Sequence, residues 1–234
     1  MDNTTTLAED NKVIIMIDFD GTISQEDVAE IILTDLATGD WQALDELFLK
    51  GEISIREALK GRFEMIQTTP AEMKQSASKG VIEPSFSLFV EQQLLKKNIL
   101  AIVSDGFHFY IKQLLEPVLG SNYEQLFVYT NDVRFEKNTN EENKEEKQAP
   151  KVVFRNPECD HGCANCKLEL VERYQKEGYK VVYIGDGLSD FYPAEKADVV
   201  YTKKGKRLEK YCLEKKIKFV SFNSFAEIKK FSYE

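Results

Sequence analysis

The sequence predicts an α/β protein built on a doubly wound parallel sheet, with a block of helices inserted after the first strand. Three observations predict it. Short apolar runs without alternation recur along the 234 residues, at Val13–Ile17, Ile99–Val103, Val181–Ile184, Val199–Tyr201 and Ile217–Val220. A polar loop or a segment of helical periodicity follows them, the pattern of strands buried on both faces and joined by crossover helices. Between the first two runs, Ser24 to about Gly80 carries several helix signals and no strand signal.

The first strand, Val13–Ile17, leads into Asp18-Phe19-Asp20-Gly21-Thr22. A helical stripe then runs Val28, Ile31, Ile32 and Leu36, and a second runs Trp41, Leu44 and Phe48 to Gly51. Ser54-Ile55-Arg56-Glu57 is a capping box that opens a third helix through Ala58, Leu59, Phe63 and Ile66. Thr69-Pro70-Ala71-Glu72 is another, with proline at the first helical position. Connections in such a sheet are usually about 2–6 residues, so an insert of this size needs a purpose. The expected organisation is a core of residues 1–23 and 81–234 with residues 24–80 inserted.

Ile99–Val103 leads into Ser104-Asp105-Gly106 and a stripe at Phe107, Tyr110, Ile111, Leu114 and Val118, stopped by Gly120. Two β-prone pieces, Val133–Glu136 and Lys151–Arg155, flank Lys137–Gln148, which has no hydrophobic residue. They predict a hairpin excursion over about 131–156 with a solvated tip. Lys167 opens a helical pattern at Leu168, Val171 and Tyr174, and Val181–Ile184 leads into Gly185-Asp186-Gly187-Leu188-Ser189-Asp190.

Composition narrows the function. Lys and Arg number 31 against 40 Asp and Glu, a formal net charge of −9. That balance argues against nucleic acid held on a basic face. The longest apolar stretches are far short of the roughly 20 residues of a membrane span. Met1–Lys12 is polar and acidic and does not resemble a signal peptide, so a cytoplasmic protein is expected. Four cysteines are too few for a disulfide scaffold.

Cys159, Cys163 and Cys166 fall in one segment with His161, which could supply four soft ligands to Zn²⁺. Ordinary zinc modules draw ligands from two separated knuckles, whereas here Cys159 and His161 are two residues apart and must fold back sharply. Free thiols in a reducing cytosol are the expectation, with a local disulfide as a further option. Cys212 and Trp41 read as core, and His108 as half-buried packing.

Asp18 and Asp20 sit at the carboxyl end of the first strand, where open α/β sheets bind ligands. Two carboxylates that close need a cation or a shared proton. On their own they are equally a surface turn. Ser104 and Gly106, a hydroxyl and backbone amides before a helix, form a natural anion cradle. With Asp186, Asp190 and Lys167, the set points to phosphoryl chemistry.

These motifs, in this order, resemble those of the haloacid dehalogenase-superfamily phosphatases, and the helical insert resembles the cap of the phosphoserine phosphatase-like branch. Ser54-Ile55-Arg56-Glu57, Gly61-Arg62-Phe63 and the cysteine segment before Lys167 are similar to the methionine-salvage phosphatases acting on 2-hydroxy-3-keto-5-methylthiopentenyl-1-phosphate. The resemblance implies a Rossmann-like core under a helical cap and hydrolysis of a small phosphorylated metabolite. It implies that Asp18 is the nucleophile and Asp20 the acid and base. It also implies that Ser104 and the amides of Asp105 and Gly106 hold phosphate, and that Lys167 neutralises charge. Mg²⁺ would take the Asp18 carboxylate, the Asp20 carbonyl and the Asp186 carboxylate, with Asp190 supporting from outside. Arg62 is the candidate for substrate selection.

Two departures stand out. Many relatives have glycine where this chain has Asp105, so only the Asp105 backbone is expected to meet phosphate. Asp27 occupies the position where phosphoserine phosphatases carry a longer acid, which puts phosphoserine itself in doubt. Phosphotransfer to another acceptor, a phosphoserine phosphatase-like activity and a catalytically silent binding module stay as alternatives, since fold alone does not fix activity. The intact Asp18/Asp20 pair disfavours the silent module, and it also disfavours dehalogenation.

Overall fold

The structure, a computed structural model, describes residues 12–135 and 147–229. The leader reading before Lys12 and most of the 137–148 tip therefore lie outside the described residues. Among them, one sheet holds β1 (Val13–Ile17), β2 (Ile99–Phe107), β3 (Phe127–Arg134), β4 (Lys151–Val153), β5 (Lys180–Gly185), β6 (Val199–Lys203) and β7 (Val220–Phe222). The order is β4-β3-β2-β1-β5-β6-β7. All pairs are parallel except β3–β4, an antiparallel edge with Asp132 opposite Val153.

Alternation along β1 shows why an unbroken apolar run is needed there. Ile15 and Ile17 enter one core with Phe86, Phe107 and Tyr110. Ile14 and Met16 enter the opposite core with Leu170, Val171 and Tyr183. A strand with both faces covered has no polar side to show.

The insert folds as α1 (Val28–Leu36), α2 (Gln42–Leu49), α3 (Ile55–Glu64) and α4 (Pro70–Ala77). Both capping boxes form, at Ser54/Glu57 and at Thr69/Glu72, and each contributes about 1 kcal/mol to its helix. The chain leaves and re-enters the core side by side: Gln25 N donates to Val81 O at 2.8 Å, and Glu83 N donates to Ile23 O at 2.9 Å. Phe63 of α3 meets Phe107 of β2 with ring centroids 4.5 Å apart. One buried cluster thus joins Ile32, Trp41 and Phe63 to Phe107 and the sheet.

The remaining helices are α5 (Phe86–Leu95), α6 (His108–Leu119), α7 (Lys167–Lys176), α8 (Phe191–Lys196) and α9 (Arg207–Lys215). No helix among the described residues is long and apolar enough to cross a membrane. Three features differ from expectation. α5 buries Phe86, Phe89, Val90 and the polar Gln93, and that glutamine conceals the apolar stripe. β3 begins at Phe127 and carries Asn131 and Asp132, so a half-exposed strand next to the sheet edge replaces an apolar run. His108 is exposed, not half-buried, because it shares the solvent face of α6 with Lys112 and Glu116.

Candidate active site

β1 lies between β2 and β5, so the strand order reverses direction there and opens a crevice at the carboxyl ends. Three neighbouring strand ends deliver Asp18, Ser104 and Asp186 to it. After Asp18 the chain makes one wide turn, Phe19–Ile23, with Gly21 at φ 74°. A Cβ on Gly21 would lie 2.5 Å from Asp186 Oδ2. Glycine is required here for both backbone and space.

Asp18 Oδ1 accepts from Phe19 N at 2.8 Å and meets Lys167 Nζ at 2.8 Å. The same ammonium donates to Asp190 Oδ1 at 2.8 Å and to Ser189 Oγ at 2.9 Å. Burial opposes the charge on Lys167, yet Asp18, Asp190 and Asp105 hold it above the ordinary lysine range. Asp190 has no vacancy. Its Oδ1 also accepts from Tyr183 Oη at 2.6 Å, and its Oδ2 accepts from the amides of Asp186 and Gly187, both at 2.9 Å. All four acceptor positions serve the protein, so Asp190 aligns Lys167 and the Asp186 loop.

Asp186 Oδ1 accepts from Thr22 Oγ1 at 3.0 Å. Burial, then the charge of Asp190, pushes its carboxyl up to about 6. Asp18 is raised well above the usual range by burial and by Asp190. The carboxylates of Asp18, Asp186 and Asp190 can bring oxygens within 4.8 Å of one another. One buried lysine cannot balance them. Hard oxygen donors with surplus negative charge fit a divalent cation of the Mg²⁺ kind.

Asp20 Oδ1 accepts from Val28 N at 2.9 Å, and its Oδ2 accepts from Tyr110 Oη at 2.7 Å. Burial, then the charge of Asp27, holds its proton on well above the usual range. Ser104 Oγ accepts from Gly106 N at 2.9 Å and lies 3.5 Å from Asp20 Oδ2. The Asp105 side chain turns to the loop before α7, where Oδ1 accepts from Asn165 N at 3.1 Å. Burial pushes that carboxyl up to about 6.

The insert forms the other wall of a cleft of about 780 Å³, with Phe48, Leu49, Ile55, Leu59 and Arg62 facing the acids. Arg62 Nη1 pairs with Asp45 Oδ1 at 2.9 Å, and its buried Nε has no partner. Asp27 is the N-cap of α1, accepting from Glu30 N at 3.0 Å.

Three residues at the site carried no functional signal of their own. Tyr110 looked like one more apolar stripe position, yet its hydroxyl holds Asp20. Asn165 donates from Nδ2 to Ser104 O at 2.8 Å and to Tyr129 O at 2.7 Å, and accepts from Arg155. Arg56 of α3 donates to the carbonyls of Cys163 at 3.1 Å and Asn156 at 2.9 Å, and also to that of Pro157. The loop into Lys167 is therefore tied to both the sheet and the insert.

The whole architecture is similar to a substrate-bound phosphoserine phosphatase, with a TM-score of 0.69 at 17% identity, over 94% of this chain and 98% of that one. That likeness concerns the fold. Fold and acid cluster are consistent with a phosphatase, the class that the family match gives directly. The chain belongs to the family described as "Putative Phosphatase", whose family model matches residues 13–228. It is 26% identical to the 2-hydroxy-3-keto-5-methylthiopentenyl-1-phosphate phosphatase of Brevibacillus brevis, over 81% of this chain and 82% of that one. It is 28% identical to the bifunctional enzyme MtnB/MtnX of Bacillus licheniformis, over 94% of this chain but only 49% of that protein. The chain thus spans about half the length of that relative.

Proposed function

We propose that the chain is a Mg²⁺-dependent phosphomonoesterase that works through an aspartyl-phosphate on Asp18. The observation that carries this reading is the Asp18–Lys167–Asp190 series of 2.8 Å contacts beside Asp186, on adjacent strand ends. Asp18 attacks phosphorus, forming an acyl phosphate as the bond to the substrate alcohol breaks. Asp20, protonated beforehand by its burial, gives its proton to the departing oxygen. As a carboxylate it then takes a proton from the water that attacks the acyl phosphate, restoring Asp18 and releasing phosphate. Ser104 and the amides of Asp105 and Gly106 hold phosphate oxygens, while Lys167 fixes the nucleophile and offsets charge at phosphorus. Asp18, Asp186 and the Asp20 carbonyl would hold the cation, which when bound keeps these carboxylates ionised and balances the phosphate.

The residues 24–80 insert acts as the cap that selects substrate. Phe48, Leu49, Ile55 and Leu59 give it an apolar wall suited to a thioether tail. Arg62 supplies a donor to a carbonyl or hydroxyl. The substrate we favour is 2-hydroxy-3-keto-5-methylthiopentenyl-1-phosphate or a close analogue. One observation keeps a second reading, a phosphomonoester bearing an amine: Asp27, Glu30 and Asp45 surround the Arg62 charge, and Glu30 is raised by burial and by those two acids.

The test is turnover of an aryl phosphate with and without chelator, then a panel of phosphorylated metabolites. We expect loss of activity on chelation and its return with Mg²⁺. Asp18→Asn should reduce kcat by about 10³-fold or more. Full turnover without metal, or in Asp18→Asn, would overturn the mechanism. A preference for amine-bearing substrates on the panel would replace the first substrate reading by the second.

A further inference from the structure

The cysteine segment before Lys167 is absorbed by no step of the proposed reaction. We propose that Cys159, His161, Cys163 and Cys166 bind one structural Zn²⁺, and that this metal holds the loop leading into Lys167 in the turn that packs against the start of α3.

The four ligand atoms lie within 4.8 Å of one another. Cys159 Sγ and His161 Nδ1 are 3.8 Å apart. Zinc bonds of about 2.3 Å to sulfur and about 2.0–2.1 Å to nitrogen give tetrahedral edges of about 3.5–3.8 Å, so this pair already spans one edge. A disulfide needs two sulfurs about 2.05 Å apart and gains nothing from a third thiol and an imidazole at the same point. All three thiols are free.

The fold-back that makes the spacing unpromising in sequence is solved by one glycine. Gly162 adopts φ 65°, and its amide donates to Cys159 O at 3.1 Å, turning His161 back toward Cys159. A Cβ at Gly162 would lie 2.6 Å from Ser54 Cβ, so the turn is pressed against the start of α3.

Charge agrees. Three thiolates and a neutral imidazole around Zn²⁺ leave one negative charge. The Arg56 guanidinium sits on the carbonyls of Asn156, Cys159 and Cys163 in the same loop. Cys166 immediately precedes α7, whose first residue is Lys167. The zinc would therefore brace the segment that aims the lysine, without touching the phosphate.

Metal analysis decides the matter independently of any activity. Untagged protein from zinc-supplemented medium, purified without chelator, should carry one zinc per chain. With Co²⁺ in its place, the protein should show the near-ultraviolet thiolate charge-transfer band and intense visible bands of a tetrahedral site. Asp186→Asn should keep them, because the acidic site is separate, and Cys163→Ser should lose them. Should Cys163→Ser fail to fold, the wild type still answers: Cys159, Cys163 and Cys166 should resist a thiol reagent until zinc is stripped. Substoichiometric zinc with reactive thiols, a disulfide in the native protein, or cobalt bands that survive Cys163→Ser would each overturn the proposal.

Discussion

Asp105 carries a carboxyl between Ser104 and Gly106 and turns it to accept from Asn165 N. The cost is burial, which raises its proton affinity to about 6, whereas an unfolded aspartate ionises near about 3.9. Between those values the folded protein holds the extra proton, so stability falls as pH rises through the window and stays at its lower level above it. The full difference is at most about 3 kcal/mol. Asp105→Asn still accepts from Asn165 N and should flatten this slope. Urea midpoints in Mg²⁺-free buffer at about pH 4.5 and about pH 7.5 measure it; an unchanged slope in the variant would place the titration elsewhere. As candidates, Asp18, Ser104, Lys167 and Asp186 were legible in the sequence because each follows or opens a regular element. Tyr110 and Asn165 were not, since their partners lie 90 and 61 residues away in the chain and no local pattern marks the pairing.

At the scale of elements, the loop between β4 and α7 is held chiefly by what other elements give it. Arg56 projects from α3 and satisfies several carbonyls that the loop's own irregular backbone leaves open. Arg56→Ala should destabilise the protein by about 2 kcal/mol, the scale of charged hydrogen bonds left unmade. Arg56→Lys should rescue little, because a point charge cannot span the forked set. Hydrogen exchange is the measurement, with faster exchange expected across 156–166 than elsewhere; uniform change over the whole chain would contradict the tie. The sequence marked Arg56 as part of a capping box and of a family-like segment, not as a tie to a distant loop. Helix caps are written in four consecutive residues, and the reach of a side chain to a loop a hundred residues on is not. α5 and β3 escaped for a similar reason, as tertiary burial of Gln93 and the partial exposure of a strand near the sheet edge both blur periodicity.

For the molecule as a whole, the insert shares one continuous core with the sheet, through Phe63 on Phe107. Insert and sheet should therefore unfold together. The single tryptophan makes this testable, because Trp41 lies in the insert and is buried in the shared cluster. Its fluorescence should trace the same denaturation midpoint as far-ultraviolet circular dichroism, which follows every helix. Phe63→Ala should lower both by about 3–5 kcal/mol of stability. Two separate midpoints in the wild type would show that the insert melts alone.

The paired crossings at Gln25–Val81 and Ile23–Glu83 have a consequence for change over generations. Because the chain departs and returns at adjacent positions, the strand register is fixed by two neighbouring ends and does not depend on the length strung between them. Closing a longer or shorter excursion alters the entropy by fractions of a kcal/mol, of order 0.6 per doubling. The insert can thus be lengthened, trimmed or exchanged as a cassette while the strands keep their register. The newcomer must still offer Phe107 a partner and the loop before α7 a donor in place of Arg56.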